Sequence, residues 1–166
     1  MTAISDASVD ISSTVEPIII MTRMFDASRE KVWEAFTKPE HVARWYGGQG
    51  FSNRVISMDV RPGGLWRHVM ITPDGSELEL EFVYVEVVKP SKLVWENLGH
   101  SDGKPSPVGR PTCRIAATLE DHGARTKWTM VARFHTMAER DLTALSGFTG
   151  IVAQGCEKLN EVAKRL

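Results

Sequence analysis

The chain has 166 residues, enough for one domain with a sizeable core and too few for two comfortable ones. Twenty basic and 21 acidic residues nearly cancel, to a formal charge of −1, and no Lys/Arg cluster interleaves with aromatic residues, which argues against nucleic acid as a partner. No apolar run is long enough to span a bilayer, and Met1 to Val15 lacks a basic region followed by an apolar one. Residues 1–15 are therefore expected to be a short disordered tail on a cytoplasmic protein, with one folded domain over residues 16–166.

The first periodic run is Ile18-Ile19-Ile20-Met21-Thr22-Arg23-Met24-Phe25, rich in β-branched and apolar residues and read as a strand. Asp26-Ala27-Ser28 then supplies helix N-cap candidates, and Val32, Trp33, Ala35 and Phe36 recur at helical spacing. Pro39 starts a second short helix carrying Val42 and Trp45, and Gly47-Gly48 stops it. From Phe51 the period changes to two. Turn signals follow at hairpin distances: Pro62-Gly63-Gly64, Pro73-Asp74-Gly75, Lys89-Pro90-Ser91 and Asp121-His122-Gly123.

The clearest alternation runs from Glu77 to Glu86, with Leu78, Leu80, Phe82 and Tyr84 on one face and Glu77, Glu79 and Glu81 on a solvated one. Strands are also expected from Leu93 to Asn97 and from Cys113 to Leu119, joined by a Gly/Pro/Ser-rich loop, His100 to Pro111, that is either a lid or a long connection. The last strand, Arg125 to Phe134, sets Thr126, Trp128, Met130 and Phe134 on one side. From Met137 the period is helical to the end, through Leu142, Leu145, Thr149, Val152, Cys156, Leu159, Ala163 and Leu166, which reads as one helix of about seven turns. Gly147, Gly150 and Gly155 lie inside it, each costing about 1 kcal/mol relative to Ala, so close backbone approach or space beneath the helix should compensate. The fold class is thus α+β: two short helices after the first strand, then a curved antiparallel sheet of six or seven strands wrapped around a long terminal helix.

Several ordered motifs carry a family resemblance. They are Arg23-Met24-Phe25-Asp26-Ala27 with Val32-Trp33-Glu34-Ala35-Phe36, Trp45-Tyr46-Gly47-Gly48, and Asp59-Val60-Arg61-Pro62-Gly63-Gly64-Leu65-Trp66. Pro73-Asp74-Gly75, Tyr84 to Pro90 and Lys92-Leu93-Val94-Trp95 follow in order. Over residues 18 to 165 the chain resembles the START-like helix-grip superfamily, in the branch similar to the carboxy-terminal domain of the Hsp90 ATPase activator. The resemblance implies a helix-grip fold with an apolar cavity between sheet and terminal helix. It supplies no activity, since fold does not fix function. Two departures bear on the cavity: Phe82 stands where the family usually has a small residue, and Gly150-Ile151 where it commonly has Gly followed by Trp.

The expected cavity wall is Phe51, Trp66, His68, Tyr84, Trp95, Phe148 and Val152. Alternation places Trp66, His68 and Met70 on one face, and the family's aromatic position at Trp66 points that face inward. His68 is the candidate for acid–base or orienting work against the plainer reading of a satisfied core residue, and Tyr84 either offers its hydroxyl to a ligand or bonds to backbone. Arg23 is expected to bury its stem and pair its head with an acid of the chain or, alternatively, with a ligand carboxylate, Asp59 and Arg61 to be turn fixtures, and Trp33 and Trp128 to be core.

Cys113 and Cys156 read as buried free thiols, and neither metal-ligand spacing nor a cofactor motif is present. No Ser-His-Asp order, phosphate loop or carboxylate pair stands at an interpretable spacing. The leading expectation is therefore a binding module for a small hydrophobic or lipid-like molecule, without integral membrane association. A cyclase, hydrolase or dehydratase using His68 on an aromatic or polyketide-like substrate is the second reading. Stimulation of an Hsp90-type chaperone ATPase, the role of eukaryotic relatives, is the third, set behind the others because their amino-terminal domain has no counterpart in these residues. A homodimer stays open.

Overall fold

In the computed structural model, which describes residues 7–98 and 113–166, the first element lies within the expected tail: β1, Ala7–Asp10, pairs antiparallel with β2, Ile18–Phe25. All four β1 residues are exposed, so no burial pattern announces the strand. Its hold is the backbone ladder on the outer edge of β2, a Ser8–Thr22 hydroxyl contact, and Asp10 accepting from the Ser12 amide (2.8 Å). The expectation of a disordered segment up to residue 15 fails here because sheet edges recruit backbone, which side-chain periodicity does not register.

After β2 come α1, Arg29–Thr37, and α2, Pro39–Trp45, which bury Val32, Trp33, Ala35, Phe36, Val42 and Trp45 as their spacing predicts. Ser28 occupies the α1 N-cap without a side-chain cap bond, and Pro39 opens α2, where a missing amide proton costs nothing. Asp26 serves elsewhere. Its amide donates to Asn160 Oδ1 (2.8 Å), its carboxylate accepts from Asn160 Nδ2 (3.1 Å) and Arg125 Nε (3.0 Å), and these bonds hold it below the usual carboxylate range.

Six further strands follow: β3 (Ser52–Met58), β4 (Leu65–Ile71), β5 (Glu77–Val88), β6 (Lys92–Asn97), β7 (Cys113–His122) and β8 (Arg125–Arg133). With β1 and β2 they form one antiparallel sheet of eight strands in the order β1-β2-β8-β7-β6-β5-β4-β3, one or two more than expected. The α1–α2 segment carries the chain from β2 to the opposite edge. The alternation read in β5 holds through Tyr84, after which a bulge leaves Val85 exposed and passes the inward role to Val87, opposite Leu93. A second bulge lies between Val55 and Ser57 in β3, and such insertions bend a sheet. The segment His100 to Pro111 lies outside the described residues.

The terminal helix is two helices. α3, Met137–Leu145, is capped by Thr136 Oγ1 accepting from the Glu139 amide (3.1 Å), and α4 runs Phe148–Lys164. Gly147 between them has φ +93°, a left-handed conformation that costs other residues energy. The turn breaks the phase of the apolar stripe: Leu142 and Leu145 are 69% and 86% exposed, whereas Cys156, Leu159 and Ala163 are buried. The one residue that α3 buries is Arg140, whose guanidinium donates to the Ser13 carbonyl (2.7 Å). Gly155 answers to close approach, since a Cβ there would meet the Gly47 carbonyl oxygen at 3.3 Å. At Gly150 a Cβ would meet open space.

Candidate functional site

Between the concave sheet face and the first half of α4 lies a cavity of about 250 Å³. Strands β4 to β8 contribute Trp66, Met70, Leu80, Phe82, Trp95, Asn97, Ile115, Trp128 and Met130. The helices and the α2 terminus add Phe36, Trp45, Tyr46, Gly47, Phe148, Ile151, Val152, Gly155 and Cys156. Among the described residues no charged side chain lines it. Burial raises the phenol pKa of Tyr46 and pushes the Cys156 thiol up to about 12, so both are neutral.

Of the expected wall residues, the fold brings Trp66, Trp95, Phe148 and Val152 to the cavity and leaves Phe51, His68 and Tyr84 off it. Phe51 instead packs against the Gly47-Gly48 backbone, where a Cβ on Gly47 would meet Phe51 Cβ at 3.0 Å. His68 is fully buried behind Trp66, Tyr46 and Phe82, with ring centroids at 4.8, 4.4 and 5.0 Å. A 2.8 Å hydrogen bond joins Asn53 Nδ2 to His68 Nδ1; with the amide donating, the ring proton resides on Nε2, which has no partner among the described residues. Desolvation lowers the His68 pKa to about 3, so the imidazole is neutral at physiological pH. Tyr84 stacks on Trp66 (6.2 Å, 8°), its hydroxyl without the expected backbone partner among the described residues and its pKa raised by burial.

Trp128, expected as core, is buried and also lines the cavity, while Trp33 is core alone. Tyr46, Phe36, Leu80, Met130 and Ile151 join the wall without having been singled out. The Trp45-Tyr46-Gly47-Gly48 motif was the available signal for Tyr46, since a residue just past a helix end is free to turn inward. Phe82, 3% exposed and edge-on to Trp66 at 4.9 Å, occupies space at the wall. Arg23 places its guanidinium 5.8 Å over the Phe25 ring, and among the described residues it forms no ion pair and its Nε has no hydrogen-bond partner. Asp59 and Arg61 form an exposed 2.8 Å ion pair at their turn. Cys113 and Cys156 are buried, and neither forms a disulfide. Among the described residues no group of His, Cys, Asp and Glu is placed to hold a metal ion, and no helix is long and apolar enough to cross a membrane.

A curved antiparallel sheet closed over a carboxy-terminal helix, with two short helices after its first long strand, is the helix-grip architecture of START-like proteins. The chain belongs to the family described as activator of Hsp90 ATPase homolog 1-like protein, whose model matches residues 26–164. Solved structures agree on the fold. A protein from Arthrobacter aurescens superposes with a TM-score of 0.86 at 20% identity, over 96% of this chain and 92% of that one. A Rhodobacter sphaeroides protein gives 0.81 at 21% identity, over 98% and 100%. The AHSA1 protein of Silicibacter pomeroyi gives 0.71 at 17% identity, over 90% and 99%. No curated protein matches the sequence.

Proposed function

We propose that this protein binds a small apolar molecule in the space between the sheet and α4. The observation that carries the reading is the composition of that space: an aromatic and aliphatic wall with no charged side chain among the described residues. Burying roughly 200 Å² of apolar ligand surface there contributes about 5 kcal/mol before the costs of association. An engineered cavity of about 150 Å³ holds benzene, so the space here suits a ligand of about ten non-hydrogen atoms. Trp66, Trp95, Phe148 and Val152 would touch the ligand, with Phe51, His68 and Tyr84 supporting that wall from behind. His68 lies off the wall, fully buried and neutral, which weighs for binding over acid–base chemistry by this residue.

Native mass spectrometry and thermal shifts across a library of small aromatic, aliphatic and lipid-like compounds test the reading. Compounds near that size should bind one per chain and raise the melting temperature. A crystal structure with the space filled by side chains would overturn it.

A further inference from the structure

A second hollow lies beside the cavity, and the cation it holds is unpaired among the described residues. It is a groove of about 190 Å³ between the β1–β2 edge of the sheet and α4. Val9, Met21, Trp128, Ala153 and Cys156 are among its lining, and Arg23 is the one charged side chain among the described residues there. Ala7 and Val9 stand opposite Arg23 and Met21 in the ladder, so β1 continues the concave face past β2, and Val9 is 50% exposed on it. The register also sets Arg23 opposite Trp128, on the face that carries Met21 and Phe25 inward, and its charge acts on the Cys156 thiol of α4. Arg23 therefore points between sheet and helix. Stacking on Phe25 uses one face of the guanidinium and leaves its edge, where the donors lie. Of its nitrogens only Nε is closed off; Nη1 and Nη2 are not, and neither donates to a described residue. The carboxylates of α4 leave it unpaired: Glu161 binds Lys164 at 3.3 Å, and Glu157 shares a neighbouring polar cleft with Arg23 without forming an ion pair. Lys158 of that cleft donates to the Gly48 carbonyl at 3.0 Å.

We propose that this groove binds a small monocarboxylate with an apolar body, the carboxylate on the Arg23 edge and the body along Val9, Met21 and Ala153. A planar guanidinium edge meets two carboxylate oxygens at once. One cation matches a monoanion, whereas a phosphate dianion would stand near Glu157 with a charge to spare. A cavity of about 150 Å³ holds benzene, so the groove suits a body of about six to eight non-hydrogen atoms. The groove and the cavity have Trp128 and Cys156 as a shared wall, and neither reading depends on the other.

Proton–nitrogen NMR titrations of the full chain with hexanoate, 1-hexanol and hexylammonium at neutral pH test this. The amides of Ser8, Thr22 and Ala153 report the groove, and those of Leu80, Phe82 and Ile115 report the cavity. At the groove, hexanoate should bind about tenfold more tightly than hexanol, the low end for a hydrogen bond to a charged group because Arg23 is partly in solvent, and hexylammonium should bind weakest. Arg23→Gln should bring hexanoate down to hexanol there, and Arg23→Lys, which keeps the charge without the fork, should recover part of the difference. In the wild-type chain, raising the ionic strength from about 0.02 to about 0.5 M should weaken hexanoate at the groove several-fold and leave hexanol unchanged, which needs no variant to fold. Groove amides that do not move, that answer hexanoate and hexanol equally, or that keep the preference in Arg23→Gln overturn this inference and leave the cavity reading standing. Hexanoate held at the groove while no compound moves the cavity amides supports it and counts against the cavity reading alone.

Discussion

The two halves of α4 face different interiors. Its carboxy-terminal half presents Leu159 and Ala163, both fully buried, and Asn160, which closes a hydrogen-bonded clamp on Asp26. Its amino-terminal half presents Phe148, Ile151 and Val152, partly buried around open space. One helix is a core staple at one end and a cavity wall at the other. Stability and binding are thereby separated along a single element, so substitutions at its two ends should read out differently.

The largest expected effect breaks the staple. Leu159→Ala should lose about 4 kcal/mol in urea titrations, as truncation in a close-packed site does, while Val152→Ala should lose about 1 kcal/mol because its side chain already borders open space. Equal losses would erase the distinction. Next is Phe82→Ala, which should cost about 3 kcal/mol, at the low end for a phenylalanine because part of the ring faces the cavity. The enlarged space should give thermal shifts with compounds too large for the wild-type chain.

Smaller still is the effect of pH on the wall's polar backing. His68 titrates near 6.5 when unfolded and near 3 when folded, so the unfolded chain takes up the proton first. Its contribution is therefore complete above about pH 6.5 and falls by about 1.4 kcal/mol per pH unit as the pH drops toward 3. Between pH 6.5 and 5 that amounts to about 2 kcal/mol, and His68→Phe should remove this part of the slope in urea titrations at the two pH values. Smallest is Leu145→Ser. At 86% exposure it should change stability by less than about 0.5 kcal/mol, although helical spacing alone groups Leu145 with the core.

The last case shows how far periodicity reaches. A period of two or of 3.6 tells which residues share a face within one element, and on that basis the inward sets of β5 and β8, the buried faces of α1 and α2, and the hairpin turns were all legible. It does not carry across a break. Gly147 was visible as a helical glycine with an energetic cost, but only its left-handed conformation shows that α3 and α4 are separate, leaving Leu142 outside the stripe. β1 was illegible for a related reason, since its pairing uses backbone groups common to every sequence.

The sequence by itself therefore determined the element types, most of their order, and an aromatic inner face, because burial periodicity and turn chemistry are local properties. The tertiary structure decided which of those inward residues reach open space. Trp66 and His68 share a face of β4, yet Tyr46, arriving from the end of α2, packs with Trp66 and Phe82 around the imidazole. Facing inward is a property of one strand, whereas lining a cavity depends on what distant segments place in front of it.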